Sequence, residues 1–227
     1  AAVAQNPALP GLLDGLHFHT LCEQDADALA MTLDAVAEKF GDILPKMQWV
    51  NFGGGHHITR PGYDIEMLEH CIARAQNAWG VTVYLEPGEA CALNAGYLLT
   101  RVLDVVQNGG TTVAILDASA ACHMPDVIEM PYRPPLLFAG DAGQKPCTVR
   151  LAGPTCLAGD VIGDYGFDAV PRAGDLLVFG DMAIYTTCKN NTFNGMPLPA
   201  ICVRDEAGSV RELVKFGYRD FKARLGR

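Results

Sequence analysis

The hydrophobic period of this 227-residue chain changes once, near residue 96, and that change dictates an α/β part followed by a β part. Residues 15–19 read as a short apolar strand ending in polar side chains. Behind Asp25 and Asp27, which suit a helix start, Leu29, Leu33, Val36, Ala37 and Phe40 recur at helical spacing. Residues 47–52 form a second predicted strand that runs into Gly53, Gly54 and Gly55. A second helix opens near Asp64, with Ile65, Leu68, Ile72 and Ala75 on one face, and residues 81–85 are a third strand closed by Glu86-Pro87-Gly88. Strands and helices alternating through short connections predict a parallel sheet, whose functional groups gather at the C-terminal strand ends. Each of these strands ends in a polar or glycine cluster.

Beyond residue 96 the pattern is β-rich. Residues 97–107 and 111–117 are separated by Asn108-Gly109-Gly110, a strong hairpin signal. Further strand-like runs cover 147–151, 175–179 and 198–203, a turn at 205–208 joins the last two strands, and 218–225 reads as a short terminal helix. The expected domains are therefore 1–95, α/β, and 96–227, a β-barrel or sandwich. A closed (β/α)8 barrel takes roughly 250 residues, so the α/β part is either a small open sheet or the later portion of a barrel in a longer protein. The start at Ala1, with no Met and no lead-in before the first strand, favours the longer protein.

Composition narrows the partners. Lys and Arg number 17 against 26 Asp and Glu, a formal charge of −9, which argues against broad nucleic-acid or anionic-membrane binding and suits a cationic small substrate. No apolar run approaches the ~18–20 residues of a membrane span, and the N-terminus lacks the basic start of a signal peptide. The eight cysteines include no CxxC pair. Buried, reduced thiols of a cytoplasmic protein are the expectation for all but one.

Individually the motifs are weak. The glycine triplet lets backbone N–H groups approach an oxyanion, yet serves equally as a plain turn, and it is not the dinucleotide fingerprint GxGxxG. His56 and His57, with His17 and His19, invite a metal reading. Strand alternation, however, would send His17 and His19 to opposite faces, so no metal site is expected. Gly153-Pro154-Thr155-Cys156, followed by Asp160 and Asp164, sets a thiol among carboxylates, which suits a proton donor better than a thiolate nucleophile; a buried structural cysteine is the alternative.

Taken in order, GLHFH, GGG, EPG, GPTC and the YT…TFNG segment resemble the fold-type III pyridoxal-phosphate decarboxylases of basic amino acids, such as ornithine and diaminopimelate decarboxylases. Within that family GLHFHTLCEQ, NFGGGHHIT, LEPGEA, DASAACHMPD, GPTCLAGDVIGDY and NTFNGMPLP are most similar to the carboxynorspermidine (carboxyspermidine) decarboxylases, and the likeness covers essentially the whole chain. It implies the second half of an alanine-racemase-like (β/α)8 barrel followed by a C-terminal β-barrel or sandwich domain. It implies pyridoxal 5'-phosphate as cofactor, a carboxy-polyamine substrate and a homodimer with composite active sites. Carried over by position, His19 would stack on the pyridine ring, Gly53, Gly54 and Gly55 would offer amides to the phosphate, and Glu86 would face the ring nitrogen. Tyr185 would hold the phosphate, and Cys156 would act as proton donor in the neighbouring subunit's site.

The chain departs from the family at two points. Where the family usually carries Arg after EPG, this chain has Glu89, which would repel an acidic substrate tail and attract an ammonium, alongside Asp117 and Asp126 as further substrate-binding carboxylates. In addition, no lysine occupies the family's Schiff-base position at the end of the first barrel strand, so that lysine is expected upstream and the chain alone is expected to be inactive. Three other readings compete: decarboxylation of diaminopimelate or ornithine, a non-catalytic homologue, and zinc binding at the central histidines.

Overall fold

The computed structural model describes residues 5–6 and 8–226, which fall into two compact units, Ala1–Leu93 and Asn94–Arg227. The first unit contains, in chain order, β1 (Gly15–His17), α1 (Ala26–Phe40), β2 (Trp49–Asn51), α2 (Ile65–Trp79), β3 (Thr82–Tyr84) and the short α3 (Gly88–Ala92). The second contains β4 (Leu98–Asn108), β5 (Thr111–Leu116), α4 (Ala120–His123), α5 (Asp126–Glu129), β6 (Gly140–Asp141), β7 (Cys147–Ala152), β8 (Val161–Phe167), β9 (Leu176–Phe179), α6 (Tyr185–Cys188), β10 (Ile201–Arg204), β11 (Val210–Val214) and α7 (Tyr218–Leu225).

In the first unit the strands form a parallel sheet in the order β1-β2-β3, with His17, Asn51 and Tyr84 level with one another at its C-terminal edge. Parallel strands need crossovers, and α1 and α2 supply them. The Asp64 carboxylate caps α2 by accepting the Met67 N–H at 2.9 Å, and Gly80, at φ 69°, ends it in the left-handed region. Leu29 and Leu33 of α1, Val50 of β2, and Leu68, Cys71 and Ala75 of α2 share one buried core. Of the expected core positions, Ala37 lies outside this cluster, and Phe40 and Ile65, each at a helix end, are exposed. The strands are shorter than the apolar runs that announced them, and His19 lies beyond the end of β1.

The second unit is built on a six-stranded sheet of order β6-β8-β7-β5-β4-β9, antiparallel at every pairing except β5–β7. β4 and β5 are joined by Gly109 and Gly110, at φ 56° and 80°, the two positive angles a tight two-residue hairpin turn requires. Val102, Ala114, Leu116, Val149, Leu151, Ile162, Tyr165 and Phe179 fill the core of this sheet. β10 and β11 pair separately as an antiparallel hairpin whose residues are all exposed. The glycine-rich strand β8 has no counterpart in the sequence reading, since Gly163 and Gly166 interrupt its alternation. No described helix is long and apolar enough to cross a membrane.

All eight cysteines are free thiols, but only Cys71 and Cys122 are buried. The expectation of mostly buried thiols is thus corrected: cysteines at 22, 91, 156, 188 and 202 are exposed, on loops, helix ends or the exposed hairpin.

Candidate active site

The C-terminal edge of the parallel sheet brings together residues from all three strand ends. From β2, the Asn51 side-chain amide donates from Nδ2 to Glu86 Oε1 at 2.7 Å, while its Oδ1 accepts the Gly53 N–H at 2.8 Å. His17 Nε2 lies 3.5 Å from the other Glu86 oxygen. The Glu86 carboxylate is therefore held on both sides while remaining about half exposed, so an incoming group can still reach it. The Glu86 N–H in turn donates to Gly53 O at 2.9 Å, which ties the third strand end to the glycine turn through the backbone.

The triplet itself is shaped by close approach. A Cβ on Gly54 would sit 2.8 Å from Glu86 O and 3.1 Å from the His19 ring, and one on Gly55 would sit 2.2 Å from Leu21 O. Gly53 and Gly55 also adopt positive φ. Any side chain here would push apart the turn and the 18–22 segment, which explains why glycine fills all three positions. The Gly54 N–H makes a long contact to His19 Nδ1 at 3.5 Å.

The expectation that His17 and His19 diverge is overturned. Ligand atoms of His17, His19 and Glu86 lie within 4.8 Å of one another. Alternation holds only inside a pleated strand, and β1 ends at His17, so Phe18 and His19 have already left the pleat.

Behind the triplet, His56 is fully buried, and desolvation pushes its pKa below the ordinary imidazole value, with the Phe52 backbone opposing the shift and His19 adding to it. Its neighbour His57 is also buried, with Nε2 3.6 Å from Oε2 of Glu89, which stands in the first turn of α3.

In the second unit Cys156 is exposed in the turn between β7 and β8. That turn is anchored by the buried Asp160. One carboxylate oxygen accepts the Ser119 hydroxyl at 2.9 Å and the Ala121 N–H at 3.3 Å; the other accepts the Thr155 hydroxyl at 2.6 Å and the Thr155 N–H at 3.3 Å. Asp164 stands apart in β8, in a two-point ion pair with Arg150 at 2.8 and 2.9 Å that holds its carboxyl below the usual range. Cys156 is therefore not surrounded by unmatched carboxylates: the two aspartates near it in sequence are committed to a hydrogen-bond hub and to an arginine.

The remaining predicted residues have partners of their own. Asp117 accepts the Thr100 hydroxyl at 2.6 Å and the Arg101 N–H at 2.8 Å. Asp126 forms an ion pair with Lys189, which also reaches Glu129 at 3.0 Å. Tyr185 opens α6, half-exposed, with Lys189 Nζ 5.3 Å from its ring centre. The sequence reading missed Asn51 and the hub role of Asp160. A polar side chain at the last position of a buried central strand was the available signal for Asn51.

A family model described as pyridoxal-dependent decarboxylase, C-terminal sheet domain, matches residues 13–183. The chain belongs to the pyridoxal-dependent decarboxylase family. It is 44% identical over 223 residues to a carboxynorspermidine/carboxyspermidine decarboxylase of Campylobacter jejuni, covering 93% of this chain and 58% of the relative. It is 42% identical to a carboxyaminopropylagmatine decarboxylase of Synechocystis, covering 96% of this chain and 57% of the relative. A crystal structure of the Campylobacter carboxynorspermidine decarboxylase complexed with norspermidine superposes with a TM-score of 0.82 at 44% identity, over 93% of this chain and 60% of that one. A diaminopimelate decarboxylase from M. jannaschii, at 22% identity and a TM-score of 0.68 over 92% of this chain and 50% of that one, shares the fold. The chain thus spans less than two thirds of the length of these relatives.

The family's cofactor, pyridoxal phosphate, suits the residues present. The half-exposed Glu86 carboxylate, fixed by Asn51, suits a protonated ring nitrogen, and a glycine turn directly after a strand is a kind of segment whose backbone amides can hold a phosphate.

Proposed function

We propose that this chain is the C-terminal portion of a cytoplasmic, homodimeric decarboxylase that converts carboxynorspermidine or carboxyspermidine to norspermidine or spermidine. Residues 1–95 would then be the second half of an alanine-racemase-like (β/α)8 barrel and residues 96–227 its C-terminal β domain. The observation that carries the reading is the Asn51-held Glu86 carboxylate beside the glycine turn, with a glutamate rather than an arginine two residues past Pro87. Pyridoxal phosphate, when bound, supplies the electron sink for loss of CO2 from the substrate. Glu86 keeps the ring nitrogen protonated, and His19 covers one ring face. Gly53, Gly54 and Gly55 offer backbone amides to the phosphate, the Gly53 N–H exchanging its Asn51 partner to do so. Tyr185 adds a phosphate ligand, and the exposed Cys156 thiol delivers the proton that replaces CO2 in the partner subunit's site. Glu89 receives the cationic tail of the substrate. Asp117 and Asp126 are kept as further substrate-binding carboxylates, each already holding a partner of its own.

The test is a substrate panel on the full-length protein with pyridoxal phosphate: carboxynorspermidine, carboxyspermidine, carboxyaminopropylagmatine, diaminopimelate and ornithine. Release of CO2 from the first two at the highest kcat/KM is the expected result. Preference for carboxyaminopropylagmatine would shift the assignment to the chemistry named for the Synechocystis relative. Preference for diaminopimelate would defeat the role given to Glu89.

A further inference from the structure

Tyr185 stands on an element that cannot hold itself in place. α6 is a single turn of four residues, none of them buried, and one turn is too short to be stable on its own hydrogen bonds. The chain beyond it is fastened to α4: Asn191 donates its backbone N–H to Cys122 O at 3.0 Å and its Nδ2 to Ala121 O at 2.7 Å. For α6 itself the link comes from Lys189, which closes the helix by donating its backbone N–H to Tyr185 O at 2.8 Å. The Lys189 side chain then reaches across to α5, where Nζ pairs with Asp126 and, at 3.0 Å, with Glu129. The same Nζ lies over the Tyr185 ring, 5.3 Å from its centre and within cation–π range.

We propose that Lys189 is a positioning residue for the Tyr185 phenol, and through it for the cofactor phosphate. This inference rests on the phosphate-binding role given to Tyr185 above. Lys189 is not itself the phosphate ligand. Its single positive charge already faces two carboxylates, and the three groups together are net negative, which repels an anion rather than gathering it. What Lys189 supplies is orientation. An ammonium over the face of an exposed ring favours that ring setting by about two- to fivefold. The two carboxylates of α5 fix where the ammonium stands, and Asp126, only 17% exposed, is the firmer anchor.

The experiment titrates the full-length protein with pyridoxal phosphate and with pyridoxal, which lacks the phosphate, following absorbance. Wild type is compared with Lys189→Met, Lys189→Arg, Tyr185→Phe and the double variant Lys189→Met with Tyr185→Phe. Lys189→Met should weaken pyridoxal phosphate about fivefold and leave pyridoxal within about twofold, and Lys189→Arg should restore most of the loss. In the Tyr185→Phe background the loss from Lys189→Met should vanish, because the hydroxyl it positions is gone. Where Lys189→Met is unstable, Glu129→Gln removes one arm of the clamp at the surface and carries the same test, a loss confined to pyridoxal phosphate supporting the proposal and no loss refuting it. Unchanged pyridoxal-phosphate affinity in Lys189→Met would overturn the proposal, as would equal losses for the two ligands or a loss that persists beside Tyr185→Phe. If Tyr185→Phe itself binds pyridoxal phosphate like wild type, the role of Tyr185 falls and this inference with it. A loss in Tyr185→Phe without one in Lys189→Met defeats the positioning role alone.

Discussion

Asn51 and Glu86, at the ends of neighbouring parallel strands, are joined side chain to side chain at 2.7 Å, and the same asparagine takes the Gly53 N–H on its oxygen. One amide thereby orients the carboxylate and fixes the entry to the glycine turn. Asn51→Ala removes both links at once. Hydrogen bonds to charged groups contribute ~1.5–3 kcal/mol, but Glu86 is half exposed and water replaces part of that, so about 1 kcal/mol is expected. Pyridoxal-phosphate affinity of the full-length protein, followed by absorbance titration, should fall about fivefold.

Asp160 receives four donors and offers none. Asp160→Asn keeps the shape but turns an NH2 group toward two of those donors, so it should destabilise nearly as much as Asp160→Ala, by roughly 2–3 kcal/mol. Urea unfolding of the two variants checks this. An asparagine variant close to wild type would show that the carboxylate charge is dispensable.

Glu89→Arg places a cation where the proposal seats an ammonium. The Michaelis constant for carboxynorspermidine should rise at least tenfold, while cofactor affinity changes far less; parallel steady-state and cofactor titrations separate the two effects. Equal losses in both would assign Glu89 to the cofactor side.

Acid stability follows from two buried imidazoles. Burial lowers the pKa of both His56 and His123, so the unfolded chain takes up their protons first as pH falls below about 6.5. Stability is therefore full above that value and declines through the lowered folded pKa values, by up to ~1.4 kcal/mol per pH unit for each group. Thermal melts at pH 7.5, 6.5 and 5.5 should show the decline, and His123→Gln should flatten it. His123 accepts the Ser119 N–H on Nδ1 at 3.1 Å and donates from Nε2 to Pro197 O at 2.9 Å, so the glutamine can preserve at most part of that bridge.

The α/β order of the first unit, the Gly109-Gly110 turn and the terminal helix were legible because period and turn chemistry are local. The sheet-edge cluster was legible only as residue types at strand ends. The relation of His17 to His19 was misjudged because alternation was extended past the true end of β1. The Asp160 hub was not legible at all, since its donors at Ser119 and Thr155 come from segments far apart along the chain. Asp164 looked like a neighbour of Cys156 until strand β8, hidden by its glycines, carried it to Arg150.

β4 belongs to two ladders at once: residues 98–101 pair with β9, and residues 102–108 with β5, across an irregularity between Val102 and Asp104. The β5 half closes over a two-residue turn, an event of microseconds, whereas the β9 half waits for Leu176–Phe179 to arrive from far downstream. A single strand is thus assembled in two stages, and during synthesis its first four residues stay unzipped until most of the unit has emerged from the ribosome.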